Sequence, residues 1–428
     1  MVAHSATLAI NERLAARRAA GERVVHLGFG EAGLPVLPSV ATTLAEAVGR
    51  NGYGPVVGSA RVRDAAAGHL SRRGLATVGD QMVLAPGSKA LLYALVAALP
   101  GDVVLPRPSW VSYAAQAAIA GKHAITVPTP RGAGGVPDPD LLDATLRSAR
   151  MRGREPGVLI LTLPDNPTGT IADAETVRRV CEVAEAHDLT VVSDEIYRDL
   201  AYDPQRVPSP ASYVPERCFV TGGLSKSMAL GGWRIGFARF PAGELGTRAL
   251  DEVTGLASEV WSSLAAPMQE VAAHVLDDPA DVTAHIAASR ALHERVNKAV
   301  HAEFAAVGAV CRPPQAAFYH YPDLEPLRPA LARFGITDAD SLAGHLLDEH
   351  GVGVLSGAVF GDDPRALCFR VATSLLYGET DEQRWQALRS SDPEQLPWIA
   401  DALAALRTAL RSLSASRVVF SSITSSSV

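Results

Sequence analysis

Short apolar runs alternate with segments of helical periodicity through the middle of the chain. Val83-Leu84-Ala85 is broken by Pro86-Gly87-Ser88, after which 89–99 reads as a helix. Further strands are predicted at 102–105, 158–163, 189–192, 218–221 and 235–240. The segment 176–187 places Val177, Val180, Cys181 and Ala184 on one stripe, as a helix packed on a sheet requires. Strands that are apolar on both faces and separated by helices predict a parallel or mostly parallel sheet covered on both sides. Ligands of such sheets gather beyond the carboxyl ends of the strands. That rule puts the loops at 86–88, 164–169, 193–197 and 222–226 in one neighbourhood. From about residue 281 the texture changes. A long Ala/Arg/His helix over 282–307, short strands at 317–321, 352–355 and 367–372, and a last helix over 397–413 predict a smaller α+β lobe. The Ser-rich end, 414–428, is expected to be disordered. No internal repeat is visible.

Composition narrows the class. The chain has 428 residues, 47% hydrophobic and 20% charged, which excludes a disordered or fibrous protein. The net charge of −7 argues against a nucleic-acid surface. The longest apolar run, 90–99, is about half of the ~20 residues a membrane span needs, and the start of the chain has no signal-peptide pattern. Cys181, Cys218, Cys311 and Cys368 lie far apart, so buried, reduced thiols and a cytoplasmic location are expected. The histidines show no metal spacing, are expected mostly at the surface or in caps, and predict no metal. Only Lys89, Lys122, Lys226 and Lys298 are lysines among 39 basic residues, so chemistry that needs a primary amine has four candidates.

Gly28-Phe-Gly30-Glu-Ala-Gly33 matches a dinucleotide-binding glycine pattern, but Pro35 and Pro38 stop a helix from opening at the third glycine. Gly87-Ser88-Lys89 lies between a strand and a helix, where backbone amides suit a phosphate; an ordinary turn with Ser88 as N-cap reads the same way. Asp194 follows a strand and can hold a proton on a ring nitrogen, with Tyr197 on the same side of a helical turn; a capping Asp and a packed Tyr are equally consistent. Lys226 stands among Leu224, Met228, Ala229 and Leu230, where a desolvated amine can form a Schiff base. Lys298 and Lys122 fit solvated positions. Arg234, eight residues after Lys226, can take a phosphate bidentately.

The segments Pro164-Asp-Asn166-Pro-Thr-Gly169, Ser193-Asp194-Glu-Ile-Tyr197 and Leu224-Ser225-Lys226…Gly232-Trp-Arg234-Ile-Gly236 together resemble the signature of the class I/II aminotransferases. These are aspartate aminotransferase-like enzymes of fold type I that use pyridoxal 5'-phosphate (PLP). The resemblance runs from about residue 27 to 373. It implies an α/β fold with a mostly parallel, seven-stranded sheet in a large PLP-binding domain, 46–285. A smaller α+β domain is formed by both chain ends, with 1–45 as N-terminal arm and part of that domain, 286–413 as its C-terminal portion, and 414–428 as tail.

The resemblance also implies roles. Lys226 forms the Schiff base and moves the Cα proton. Asp194 partners the pyridine nitrogen, and Asn166 and Tyr197 bond the phenolic oxygen. The Gly87-Ser88-Lys89 amides hold the phosphate, with side-chain contacts from Ser225 and Arg234, and Trp110 stacks on the ring. Tyr53 reaches the phosphate of a second subunit, which implies a homodimer with shared sites. Arg370 clamps the substrate α-carboxylate, and Gly30 supplies a backbone contact to the substrate. Gly223, three before the lysine, replaces a Ser or Thr common in relatives, and Ala316 replaces a Gly. No second arginine is identifiable for a distal carboxylate, so an aspartate-type substrate is not supported by the sequence. The expected reaction is ping-pong transfer of an amino group from an L-amino acid to a 2-oxo acid. The alternative is PLP-dependent β/γ-elimination, replacement or condensation. A PLP-binding regulator would carry a helix-turn-helix module, for which about 25 residues before the first strand are too few.

Overall fold

The computed structural model describes residues 6–130 and 133–414. A seven-stranded sheet runs Met82–Pro86, Ile235–Arg239, Cys218–Gly223, Thr190–Asp194, Pro156–Thr162, Asp102–Arg107, Ala124–Pro128 from edge to edge. Ile235–Arg239 is antiparallel to both neighbours, and every other pairing is parallel. The fold class is therefore α/β with a mostly parallel sheet, as the alternation of strand and helix signals predicts. The Ala124–Pro128 edge strand was not predicted: only Val127 within it is buried, so its sequence carries little apolar signal.

Both faces of the sheet are covered. Val103, Leu105, Val158, Ile160 and Val192 pack with Leu91, Leu95 and Val253 from the helices Ser88–Ala98 and Glu244–Val260. The intervening residues Val104, Leu159, Leu161 and Val191 face the other way, onto Leu142, Leu146, Val177 and Val180 of Pro139–Met151 and Ala174–Ala186. The period of two along each strand thus feeds two cores, which is why no polar alternation marks these strands.

A separate core joins the chain's two ends. Val25, Leu27 and Leu34 pack with Val296, Val300 and Phe304 of the Ala280–Ala306 helix, with Phe369 and Val371, and with Leu403, Leu406 and Leu410 of Pro397–Ser414. Val25–His26 pairs in parallel with Val352–Gly353. Phe369–Ala372 lies between Leu355–Ser356 and Tyr319–His320, antiparallel to each.

Several local expectations need correction. The predicted strand at 317–321 is only Tyr319–His320, because Ala317 takes a left-handed conformation (φ 51°) just before it. The predicted strand at 352–355 divides into two short strands in different sheets. A helix over Ala6–Ala19 carries no clear apolar stripe and was not anticipated. Ser414 closes the last helix instead of opening the tail, and 415–428 lie outside the described residues. Of the histidines, expected mostly at the surface or in caps, His26, His69, His285, His293 and His320 are buried. Cys181, Cys218 and Cys368 are buried and form no disulfide among the described residues, but Cys311 is only half-buried. Among the described residues no helix is long and apolar enough to cross a membrane.

Candidate active site

The four strand-end loops do converge. They frame a cavity of about 430 Å³ whose wall includes Gly30, Ser88, Lys89, Trp110, Asn166, Asp194, Tyr197, Ser225, Lys226, Arg234 and Arg370. Gly87 sits immediately behind Ser88 as the N-cap of the Ser88–Ala98 helix. Tyr53 is not brought there: it is 95% exposed.

Gly87 rather than Ser88 is the cap, with φ 88° and no side-chain hydrogen bond, so the first-turn amides keep no side-chain partner. The approach is tight. A Cβ at Gly87 would collide with the Arg234 guanidinium, and one at Gly236 with the Ser88 amide nitrogen. Arg234 itself adopts a left-handed conformation (φ 55°), unusual for a branched-off side chain of this size, and its Nη1 donates to the Gly231 carbonyl at 2.9 Å. Uncapped amides beside a fixed guanidinium make an anion cradle. The Gly223 departure has a local reason: a Cβ there would lie 2.8 Å from the Ile235 carbonyl oxygen.

Asp194 ends its strand at the cavity floor and is 3% exposed. Tyr113 donates to its Oδ2 at 2.8 Å and Thr221 to its Oδ1 at 3.2 Å. Burial nevertheless dominates and pushes this carboxyl up to about 6. Tyr197 opens a 3₁₀ turn, and its hydroxyl accepts from Asn166 Nδ2 at 3.2 Å and lies 3.0 Å from the Tyr319 hydroxyl. Lys226 occupies the short Leu224–Ser227 helix, and its Nζ donates to the Gly30 carbonyl at 2.5 Å. The other lysines outside the cavity are engaged elsewhere: Lys298 pairs with Glu294 and Lys122 bonds the Leu99 carbonyl.

Arg370 is 1% exposed. Its Nη1 donates to Asn166 Oδ1 at 3.2 Å and its Nη2 to the Gly28 carbonyl at 3.0 Å. The guanidinium lies 4.8 Å from the Tyr319 ring centre and 5.1 Å from that of Phe360. Its Nε has no hydrogen-bond partner, and among the described residues it has no carboxylate partner. A buried cation held by neutral groups alone is costly unless an anion joins it, and this one borders the cavity.

Sequence reasoning missed Tyr113 and Tyr319. Tyr113 lies one helical turn after Trp110 and contacts it edge-on at 5.1 Å, so the same periodicity contained the signal. Tyr319 lies three residues after Ala316, at the end of Gln315-Ala-Ala-Phe-Tyr319. That alanine is tolerated: its amide donates to the Gly169 carbonyl at 3.0 Å.

The family model for "Aminotransferase class I and II" matches residues 22–382. The chain belongs to this family. The enzyme is thus an aminotransferase of the PLP-dependent kind. The aspartate/prephenate aminotransferase of Cereibacter sphaeroides is 32% identical over 391 residues, covering 88% of this chain and 92% of that one. The aspartate aminotransferase of Geobacillus stearothermophilus is 31% identical, covering 89% and 95%. Among solved structures, the aspartate aminotransferase of Thermus thermophilus with maleate superposes with a TM-score of 0.78 at 27% identity, covering 90% of this aminotransferase and 96% of that chain. The wall of the cavity suits the family's cofactor in chemistry: an anion cradle, a buried carboxylate for a ring nitrogen, a hydroxyl and amide pair, and an accessible amine.

Proposed function

We propose that the cavity is the transamination site and that Lys226 is its covalent attachment point and proton carrier. The observation that carries this reading is the convergence of Lys226, Asp194, Arg234 and Arg370 on one cavity from three separate stretches of chain. PLP, when bound, supplies an electrophilic aldehyde and a ring that withdraws electrons from the substrate Cα. The other tasks fall to the protein. The Ser88 and Lys89 amides, Ser225 and Arg234 hold the phosphate. Asp194, kept in place by Tyr113 and Thr221, stabilises positive charge on the ring nitrogen. Asn166 and Tyr197 bond the phenolic oxygen, and Trp110 covers the ring. Arg370 receives the α-carboxylate, with Asn166 orienting its fork. Lys226 would carry the proton from the substrate Cα, with the Gly30 carbonyl placed to hold its ammonium. Tyr53 serves the phosphate of a second subunit in a homodimer.

The substrate reading is an amino acid with a second carboxylate, exchanged with a 2-oxo acid. Lys89 supports it. The sequence offers no second arginine, but Lys89 lines the cavity, its ammonium 5.0 Å from the Trp110 ring. Burial, Arg234 and Lys226 all press its pKa down, so a further anion would relieve it. The relatives named as aspartate aminotransferases agree with this assignment.

The test is a half-reaction. The PLP-loaded enzyme mixed with a panel of amino acids should change its cofactor absorbance and release one equivalent of 2-oxo acid without a second substrate, aspartate or glutamate reacting fastest. Lys226→Ala should lower the rate at least about 10²-fold. Release of ammonia with loss of a side-chain substituent would instead establish elimination. A preference for neutral donors would overturn the role of Lys89.

A further inference from the structure

On the far side of the Tyr319–His320 strand from the cavity, three side chains meet that the transamination site does not use. His301 comes from the Ala280–Ala306 helix, Cys311 from the loop that follows it, and His320 from the strand. His301 Nδ1 lies 3.3 Å from His320 Nε2 and 3.5 Å from Cys311 Sγ, and all three ligand atoms fall within 4.8 Å of one another. The two imidazole planes are 84° apart. Neighbours stand nine or ten positions apart in sequence, which is why no metal spacing shows there.

We propose that His301, Cys311 and His320 form a binding site for a zinc-like divalent ion. The spacing carries the argument. A tetrahedral ion with bonds of about 2.0–2.1 Å to nitrogen and about 2.3 Å to sulfur sets its ligands about 3.3 Å (N to N) and about 3.5 Å (N to S) apart. The two separations from His301 match, and the third, His320 Nε2 to Cys311 Sγ, lies within 4.8 Å and has to close to about 3.5 Å around the ion.

Hydrogen bonding alone serves the cluster poorly. If His320 carries its proton on Nε2 and donates to His301, the single lone pair of His301 Nδ1 is used and the thiol hydrogen has to compete for it. The buried Nδ1 of His320, which has no partner, is then a bare acceptor. If His320 carries its proton on Nδ1, that buried N–H is an unmet donor instead. An ion takes the lone pairs of His301 Nδ1 and His320 Nε2 and the sulfur at once; the His320 Nδ1 hydrogen stays without a partner, as in the second case, so what the ion relieves is the competition for the His301 lone pair. Binding forms two metal–nitrogen bonds and one metal–sulfur bond, breaks the S–H bond, and releases that proton to water. A thiolate with two imidazoles selects a borderline-soft ion over magnesium or calcium.

The position also gives the ion a consequence. One turn before His301, Asn297 donates to the Tyr319 carbonyl at 2.9 Å. An ion would fasten the same helix to the same strand again, directly behind the wall that presents Tyr319 to the cavity. The role assigned is structural, with a fourth coordination position left to water.

The experiment uses the PLP-loaded enzyme, stripped with a chelator and kept reduced, and titrates it with cobalt(II) and then zinc(II). Expected are one equivalent of cobalt per chain with cobalt–thiolate charge-transfer absorbance, displacement by zinc, and a higher unfolding temperature with zinc. Cys311→Ser should abolish the absorbance, and His301→Gln should weaken zinc binding at least tenfold. Both positions are half-exposed, so either variant reports even if the other misfolds. Absence of the band in the unmodified enzyme, or an equal band in Cys311→Ser, would overturn the proposal and leave a hydrogen-bonded cluster.

Discussion

A carboxyl group buried at the end of a sheet strand is held against its own solvation. Asp194 is pushed from the ordinary 3.8 up to about 6, first by burial, and the hydrogen bonds from Tyr113 and Thr221 offset this only in part. The sign follows from proton counting. Between about pH 4 and 6 the folded chain binds more protons here than the unfolded one, so stability falls as pH rises through that window. The shift amounts to roughly 3 kcal/mol against folding once Asp194 is ionised. Asp165, also buried and pushed to about 6, acts in the same direction, but it is occupied by Thr168 and lies off the cavity wall. A cationic ring nitrogen at Asp194 would cancel its share alone. The rise in unfolding temperature on adding PLP should therefore be larger at pH 7.5 than at pH 5, and Asp194→Asn should flatten that dependence. An identical rise at both pH values, in both proteins, would remove Asp194 from the cofactor's charge balance. Asp194 was legible in the sequence because a carboxylate stood at a predicted strand end. Its supporting Tyr113 was not, because the bond between them spans 81 residues of chain and no local pattern records it.

At the scale of elements, the strand and helix alternation was legible because burial on both faces leaves continuous apolar runs. The boundaries moved by a residue or two. The failures have two causes. Ala124–Pro128 and the short strands near Ala317 and Val354 lie where few side chains are buried on a regular period or where the backbone turns between sheets. The same scale fixes the anion cradle. Gly87 pairs a positive φ, which favours glycine by itself, with close approach to the movable end of the Arg234 side chain. Gly87→Ala has to adopt a conformation that costs about 1–3 kcal/mol and displace the guanidinium. The variant should fold, since Gly87 belongs to no core cluster, yet bind PLP about tenfold more weakly or worse. Fluorescence titration of the cofactor-free enzyme measures this. Unchanged affinity would place the phosphate away from the Ser88 helix start.

The two ends of the chain close one core, and the sheet's loops close one cavity, but one predicted contact is not made within a single chain. Tyr53 is 95% exposed and follows the Pro38–Ala47 helix at the edge of the described fold. A bulky aromatic left in water contributes nothing to its own subunit. In a two-fold dimer, where each interface residue acts on the other copy, it can serve the partner's phosphate. The arrangement makes a sharp prediction for mixed proteins. Lys226→Ala should be inactive, and Tyr53→Ala should bind PLP weakly. When the two are unfolded together and refolded, half of the dimers are hybrids. In each hybrid one site joins an intact Lys226 to an intact Tyr53 from the other chain, and its opposite site lacks both. Statistical pairing then restores about a quarter of the unmodified activity at limiting PLP. Activity no greater than that of Tyr53→Ala alone, diluted by the inactive protein, would show that each cavity is complete within its own chain.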